Sequence, residues 1–419
     1  MRPALRRNRD FQLYWAGQLV SALGTRIRSV ATPLLVLTIT GSPAAAGVSM
    51  FAFTLPMVLL TLPAGAILDR VDRKRVMLAC EAGRGLAVAS LAFGIWAGWL
   101  TFAQVLVVAV VDGLAYPFFR VGERSALRHL VSAPQLPAAM AQLSAREFTG
   151  LAAGQTLGGL LFGLGRLLPF VADALSYLMS LVSLLLIRGQ FNERRTGVPR
   201  ALHREIGEGL AWAWGHRFVR TTALLSAGLV SVTNALYLAV IVAALRRGAT
   251  PAIVGVMLGF MGLAGVAGSL VATRLATALS LRQVAIVTLG VWTLLTPSLA
   301  LAPSPLLIGA ILGVMFVFHP AWDASIGAWQ VRAVPRPLLS RVQSAIVLIV
   351  LGSVPAAQLL TGLLVQAIGP DPTILLLAAG LLLVLAAAVV SGPLRRPPDE
   401  RAPAPFAGGP FAPEPRTPD

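Results

Sequence analysis

The segment GAILDRVDRKR, residues 65–75, separates two long apolar runs and decides how the chain folds. The runs cover about 43–67 and 76–97, and at 1.5 Å per residue each is long enough to cross a bilayer. A short basic loop between two such runs is typical of a membrane hairpin whose loop stays in the cytoplasm. We therefore predict that residues 43–97 cross a membrane twice.

The same length rule predicts twelve membrane-spanning helices along the whole chain. Spans 1–6 lie near 11–39, 43–67, 76–97, 101–122, 141–165 and 168–188. Spans 7–12 lie near 218–245, 251–278, 281–301, 305–331, 341–368 and 370–391. The expected fold class is an all-α membrane protein whose twelve transmembrane helices form two pseudo-symmetric six-helix bundles.

Four regions follow from this segmentation. Residues 1–190 form the N-terminal bundle and residues 218–391 form the C-terminal bundle. Residues 191–217 are a cytoplasmic linker, in which apolar and charged residues alternate at helical spacing from position 201 and predict an amphipathic helix on the membrane surface. Residues 392–419 are rich in Pro and Gly and predict a disordered cytoplasmic tail.

Composition excludes a soluble protein. Hydrophobic residues make up 56% of the chain and charged residues 12%, which is too few charges to cover a soluble surface. The net charge of +17 comes from basic clusters between apolar runs. This placement indicates the orientation of the chain in a membrane rather than a nucleic-acid-binding face. Only Arg166, Arg246 and Arg247 fall in predicted outer loops, so both termini are expected in the cytoplasm and the protein in the inner membrane.

Catalytic motifs are absent from the sequence. The only lysine, Lys74, does not belong to a phosphate-binding loop, and neither a zinc-binding His-Glu-x-x-His nor a Gly-x-Ser-x-Gly elbow occurs. We therefore expect no enzyme, no cofactor and no metal site. If the protein moves solutes uphill, an ion gradient or a partner must supply the energy.

The 65–75 segment resembles the loop signature of the major facilitator superfamily. Gly65, Asp69, Arg70 and Arg73 stand on that pattern, whereas Asp72 stands where many members carry a glycine. The resemblance implies gating residues: Asp69 would reach Arg341, at the start of span 11, when the inner side is closed. Gly65 would let another helix approach closely.

Further segments resemble the multidrug, macrolide and siderophore exporter branch of that superfamily. They are Phe11–Gly24, Gly41–Pro43, Glu208–Leu210 and Ala333–Gln343, and the resemblance covers about residues 1–395. It implies alternating access between two halves, and drug:proton antiport as in many members.

Span 5 carries a glycine series that looks like the exporter motif of the family, with Gln155 at the usual proline position. The series is Gly150, Gly154, Gly158 and Gly159. Ordinary close packing of helices explains the same spacing, so both interpretations stay open.

Charged and polar residues within spans are costly in a bilayer and therefore candidates for function. By resemblance, spans 1, 4, 7 and 10 line the central cavity, and they carry Arg26, Asp112, Asn234, His319 and Asp323. Arg26 and Asp112 fall at matching depth, which predicts an ion pair whose carboxylate takes up a proton when the pair opens. Arg28 lies about 200° around the helix from Arg26 and is not expected to face Asp112. Structural ion pairs are the alternative.

The remaining intramembrane charges lie near span ends. Arg84 with Glu81, Arg146 with Glu147, and Asp173 are interpreted as structural pairs or as side chains that reach the interface.

The favoured function is a secondary transporter that exports a small organic or amphipathic compound in exchange for protons. Its partners would be that small molecule, protons and the lipid bilayer, without nucleic acid, and the protein would be a monomer. The alternatives are an importer of a small metabolite and a membrane scaffold that transports nothing.

Overall fold

The computed structural model describes residues 5, 8–68, 70–187, 189, 191, 202–334 and 338–395. Within these residues the regular elements are sixteen α-helices and a short 3-10 helix at Ala133–Gln135. The predicted all-α class is confirmed.

The first half of the chain supplies six long helices. They are α1 Arg9–Thr40, α2 Pro43–Leu68, α3 Arg73–Ala97, α4 Phe102–Leu130, α5 Leu136–Leu164 and α6 Leu168–Leu186. α7, Leu202–Gly215, lies within the predicted linker, of which residues 192–201 are outside the described residues.

The second half supplies nine helices. They are α8 Arg217–Arg246, α9 Pro251–Ala278, α10 Leu281–Leu301, α11 Pro305–Val317, α12 His319–Ala333, α13 Leu339–Gly352, α14 Val354–Ile368, α15 Pro370–Val390 and α16 Gly392–Arg395. α16 begins the predicted tail, and the tail beyond residue 395 lies outside the described residues.

Eleven segments of the described chain are long and apolar enough to cross a membrane. In this count α11 with α12 forms one span and α13 with α14 forms another. The twelfth span is α5, a continuous helix of 29 residues whose apolar sequence contains the charged residues Arg146 and Glu147. The prediction of twelve transmembrane helices is confirmed.

Spans 10 and 11 were expected as single helices, and the structure corrects this. The first breaks at Phe318, two residues before Pro320, and the second at Ser353, two residues before Pro355. A proline lacks the N–H that would bond one turn back, and its ring displaces the preceding turn. A proline thus accompanies each break, although α1, α2, α4 and α10 stay continuous through internal prolines.

The two halves repeat one packing scheme. In the first half α1 packs on α6, α2 on α4, and α3 on α6. The equivalent pairs of the second half, α8 with α15, α9 with α11, and α10 with α15, are packed in the same way. The halves meet through α5 against α9 and α2 against α14, which are also equivalent pairs. The predicted pseudo-symmetry is confirmed.

Asp72, the departure from the loop signature, caps a helix. It precedes α3 with extended backbone, and its side chain accepts a hydrogen bond from the N–H of Arg75 at 3.1 Å. An aspartate is a strong N-cap because its oxygen satisfies one of the free N–H groups of the first turn. The turn therefore does not require glycine at this position.

The outer faces of the helices are apolar. Leu86, Leu270, Leu294 and Leu383 are more than 70% exposed. Contiguous exposed apolar surface of this kind suits lipid, which solvates side chains that water does not.

Contacts between the halves concentrate at one end of the bundle. We define the linker end as the end that carries α7 and the turn at 70–72, and the distal end as the opposite one. At the distal end Gly47 of α2 and Gly362 of α14 approach so closely that a methyl group on Gly47 would lie 2.8 Å from the Cα of Gly362. The Ser42 hydroxyl donates there to the side-chain amide oxygen, Oε1, of Gln366 at 3.1 Å. The distal end is therefore closed.

Candidate functional site

A network of four buried charges joins four helices of the first half. The Asp112 carboxylate of α4 accepts a hydrogen bond from Nη2 of Arg28 and another from Nε of Arg84, both at 2.5 Å. Arg28 also donates through Nε to Asp173 of α6 at 2.5 Å. Asp112 is 2% exposed and Asp173 is fully buried. Two guanidinium groups and two carboxylates therefore balance each other inside the bundle.

Aromatic rings close the network on one side. The guanidinium of Arg84 lies over the Tyr177 ring, 4.7 Å from its centroid, and 5.8 Å from that of Tyr116. Nη2 of Arg28 also donates to the Tyr177 hydroxyl at 3.4 Å. Cation–π contact adds most where the cation is shielded from water, as it is here.

The predicted pair between Arg26 and Asp112 is wrong in this structure, because Arg28 occupies that place. Gly17 and Gly24 of α1 pack against Ser183 and Ser176 of α6, and Arg28 continues the same helix face by one further turn. Arg26 lies on the face that packs on α5, where its Nη2 is 3.7 Å from Glu147.

A second charged cluster, formed by Arg26, Arg120, Glu123, Arg146 and Glu147, joins α1, α4 and α5. Arg120 donates to Glu147 at 2.6 Å and to Glu123 at 2.9 Å. Arg146 donates to Glu123 at 2.5 Å and to Glu147 at 3.2 Å. Arg146 and Glu123 are buried, whereas the side chains of Arg26 and Glu147 are 39% and 34% exposed. The cluster therefore has a buried side and an accessible side.

The candidate residues of the second half are Asn234, His319 and Asp323. In the described part of the chain, their side chains form no hydrogen bond or ion pair with either charged cluster. The Asn234 amide donates to the carbonyl of Val230 on its own helix at 2.9 Å. Nε2 of His319 lies 3.9 Å from the Asp323 carboxylate, as their spacing predicts, and that carboxylate is 70% exposed. His319 is the first residue of α12, after the break at Phe318, and Asp323 lies one turn later.

The span 5 glycines provide close contacts with two helices. Gly154 and Gly158 face α1, with a methyl group on Gly158 expected 3.1 Å from the Cα of Ile27, and Gly150 faces Ala22 more loosely. Gly159 faces the other half, and a methyl group on it would lie 2.5 Å from the Cα of Gly255 in α9. The series thus holds α5 against α1 and also forms part of the contact between the halves.

The loop-signature residues lie at the linker end. Nη1 of Arg73 donates to the Ser125 hydroxyl at 2.5 Å, and Arg70 is exposed. Among the described residues, no atom outside its own helix lies within 4 Å of the Cβ position of Gly65, so no other described helix approaches it closely in this state. Asp69 lies outside the described residues, and Arg341 donates to Glu208 of α7 at 2.6 Å.

Sequence reasoning missed the two arginines that hold Asp112. One available signal was the stripe of Gly17, Ser21, Gly24 and Arg28, which places Arg28 on a tightly packed helix face. The other was that a carboxylate within a span needs buried cations, and Arg84 lies in the middle of α3.

Twelve spanning helices in two equivalent halves, with charges buried among them, define a membrane transporter rather than an enzyme. A family model described as transmembrane secretion effector matches residues 4–406. The chain belongs to this family and is a transporter of the major facilitator superfamily, as the loop signature predicted.

Individual proteins agree with this assignment. The multidrug efflux pump Tap of Mycolicibacterium fortuitum is 29% identical over 397 residues, covering 90% of this chain and 94% of its own length. Tap of Mycobacterium tuberculosis is 28% identical over 381 residues, covering 86% and 88%. A bacterial homologue of the iron transporter ferroportin, solved in the inward-facing state, superposes with a TM-score of 0.73 at 16% identity, covering 92% of this chain and 99% of that one.

Proposed function

We propose that this protein exports small amphipathic organic compounds in exchange for protons, by alternating access between its two halves. The observation that supports the proposal most is the buried network of Arg28, Arg84, Asp112 and Asp173. Charges are expensive at this depth, and such carboxylates commonly mark proton relays in transporters. The relatives named multidrug efflux pumps favour export of several unrelated compounds.

The orientation we propose places the linker end in the cytoplasm. The basic residues at 70–75 and the described ones from Arg204 to Arg220 lie at or near this end, whereas Arg246 and Arg247 lie at the distal end. A closed distal end then corresponds to a state that loads its cargo from the cytoplasm. In this state the accessible side of the second cluster, Arg26 with Glu147, offers polar groups to a compound between the halves.

The test is transport of ethidium, an amphipathic organic cation. Cells that produce the protein should accumulate less ethidium than cells with an empty vector, and collapse of the proton gradient by an uncoupler should remove the difference. Greater accumulation would indicate an importer. If producing cells and empty-vector cells accumulate the same amount of ethidium, and of each drug in a panel of unrelated amphipathic drugs, although the protein is present in the membrane, the result would favour the scaffold.

Topology is tested by reporter fusion. A reporter fused after Arg396 should report cytoplasm, and one inserted between Arg246 and Arg247 should report the exterior, because basic loops are retained inside. Paired alkaline phosphatase and fluorescent protein fusions measure this. The same location for both sites would contradict the twelve-span topology, in which five spans separate them.

The gating prediction concerns Asp69, and it rests on the loop signature. Asp69→Asn should leave the amount of protein in the membrane unchanged and slow ethidium efflux severely, because a carboxylate that pairs with Arg341 in the state closed at the linker end would be lost. Asp72→Asn is the matched control, because asparagine also caps a helix well. If Asp69→Asn exports ethidium as fast as the unmodified protein, the loop signature sets only the membrane topology and not the gating.

A further inference from the structure

Glu81 is a buried carboxyl group with no hydrogen-bond partner. It lies on α3, one turn before Arg84, and is fully buried. Within the described part of the chain, neither of its oxygens accepts or donates a hydrogen bond. A buried polar group without a partner is rare in proteins, and each case calls for an explanation.

The neighbours of Glu81 come from three helices. The charged groups that face it are Arg84 on α3, Asp173 on α6 and Glu123 on α4, and the closest cation is Nη1 of Arg84 at 3.8 Å. The Ser180 hydroxyl of α6 also faces it and already accepts a hydrogen bond from Gln18 at 2.9 Å. Arg84, the nearest of these groups, attracts an ionised Glu81, whereas the more weakly acting Asp173 and Glu123 repel it.

Charge counting disfavours an ionised Glu81. Arg28 and Arg84 are matched by Asp112 and Asp173, so an ionised Glu81 would add a fifth charge to a network that is already balanced. The second cluster holds three arginines and two glutamates, and its buried Arg146 hydrogen-bonds to Glu123 and Glu147 rather than to Glu81. A buried carboxyl group that accepts no hydrogen bond favours its protonated form over the carboxylate.

We propose that Glu81 is the residue that carries the transported proton, and that Arg84 exchanges between Asp112 and Glu81 as the proton leaves. This rests on the proton coupling proposed above. In the state described here Glu81 is a neutral acid and Arg84 bonds to Asp112. When the O–H bond of Glu81 breaks, the proton passes to water, and the carboxylate attracts Nη1 of Arg84. A displacement of about 1 Å brings that 3.8 Å separation to the length of a charge-assisted hydrogen bond.

The exchange connects the proton to the contacts between helices. With Arg84 drawn to its own helix, Asp112 retains only Arg28, so α3 loses its bond to α4 while α1 keeps its own. α1 in turn packs along the glycine series of α5, the helix that contacts the second half. Deprotonation of Glu81 thus alters the packing of the helices behind α5, through which the two halves are in contact.

The protonation state is tested by labelling with N,N′-dicyclohexylcarbodiimide, which reacts with protonated carboxyl groups in apolar surroundings. In protein purified in lipid nanodiscs, mass spectrometry should find the label on Glu81 at neutral pH, with less label as the pH rises and none in Glu81→Gln. Asp112→Asn should reduce the labelling of Glu81, because Arg84 is then free to pair with an ionised Glu81. Asp371→Asn removes a carboxylate that pairs with Arg247 at the distal end, and it should leave the labelling unchanged.

Two labelling results would overturn the proposal. Absence of label on Glu81 between acidic and neutral pH would show that it is ionised. Unchanged label in Asp112→Asn would show that Arg84 does not exchange partners.

Transport in proteoliposomes tests the coupling itself. A difference of one pH unit should let the unmodified protein build an ethidium gradient of about tenfold, for exchange of one proton per cation. Glu81→Gln mimics the neutral acid at nearly constant volume, so it should still exchange ethidium downhill but build no gradient. Lack of any pH response in the unmodified protein would reject the proposed proton coupling, whereas a pH response that survives in Glu81→Gln would reject only the role of Glu81.

Discussion

Arg28→Gln should destabilise the protein far more than Arg26→Gln, although only Ile27 separates the two residues in the chain. Arg28 is buried and bonds to Asp112 and Asp173 at 2.5 Å, so its loss leaves two carboxylates with a single guanidinium between them. Removal of one partner from a buried ion pair typically costs about 3–5 kcal/mol. Arg26 and Glu147 are each more than one-third exposed and 3.7 Å apart, which leaves about 0–1 kcal/mol after screening by solvent.

Thermal unfolding of the purified variants in one detergent measures this difference. The midpoint should fall strongly for Arg28→Gln and little for Arg26→Gln. Asp173→Asn combined with Arg28→Gln removes one charge of each sign and should recover part of the loss. Equal midpoints for the two single variants would show that the buried network does not support the fold.

Gly159→Ala should shift the protein away from the state in which the distal end is closed. The added methyl group would lie 2.5 Å from the Cα of Gly255, where backbone atoms of α9 leave no room for it. Overpacking of this kind costs about 1–3 kcal/mol, which corresponds to a shift of roughly 5- to 150-fold in the equilibrium between states. Ethidium efflux should fall accordingly, because each cycle must pass through the closed distal end.

Gly163→Ala is the matched control on the same helix. One turn further along α5, a methyl group on Gly163 would meet its nearest atom, the N of Ala252, at 3.6 Å, an ordinary contact distance. Spin labels at positions 42 and 366, on a background in which Cys80 is replaced by alanine, report the distance across the distal end. A longer distance in Gly159→Ala but not in Gly163→Ala is expected, and the same distance in all three proteins would contradict the prediction.

The number and order of the helices could be predicted because each depends on properties local to the sequence. Apolar length, turn residues and the placement of arginine are sufficient to locate a span between Pro370 and Val390, for example. The breaks at Phe318 and Ser353 were also signalled locally by Pro320 and Pro355, but a continuous apolar run concealed them. The proline rule alone would not have located them, because α1, α2, α4 and α10 continue through internal prolines.

The partners in the site could be predicted only in part, because they depend on how each helix is rotated about its axis. Depth alone placed Arg26 opposite Asp112, and depth cannot distinguish two residues that project from opposite faces. The rotation of α1 is set by Gly17 and Gly24 against serines of α6, a contact between residues about 160 positions apart along the chain. Glu81 was interpreted as the partner of Arg84, but the structure shows that Asp112 holds that arginine more closely.

The attachment of α7 determines which half the linker helix follows. Glu208 accepts a hydrogen bond from Arg341 at 2.6 Å, and Gly209 is so close to α13 that a methyl group there would lie 2.5 Å from the carbonyl oxygen of Arg341. α7 is therefore mechanically a part of the second half, although it precedes that half in the chain. A protein module fused within α7 would move as a rigid attachment of the second half and would report its rotation relative to the membrane.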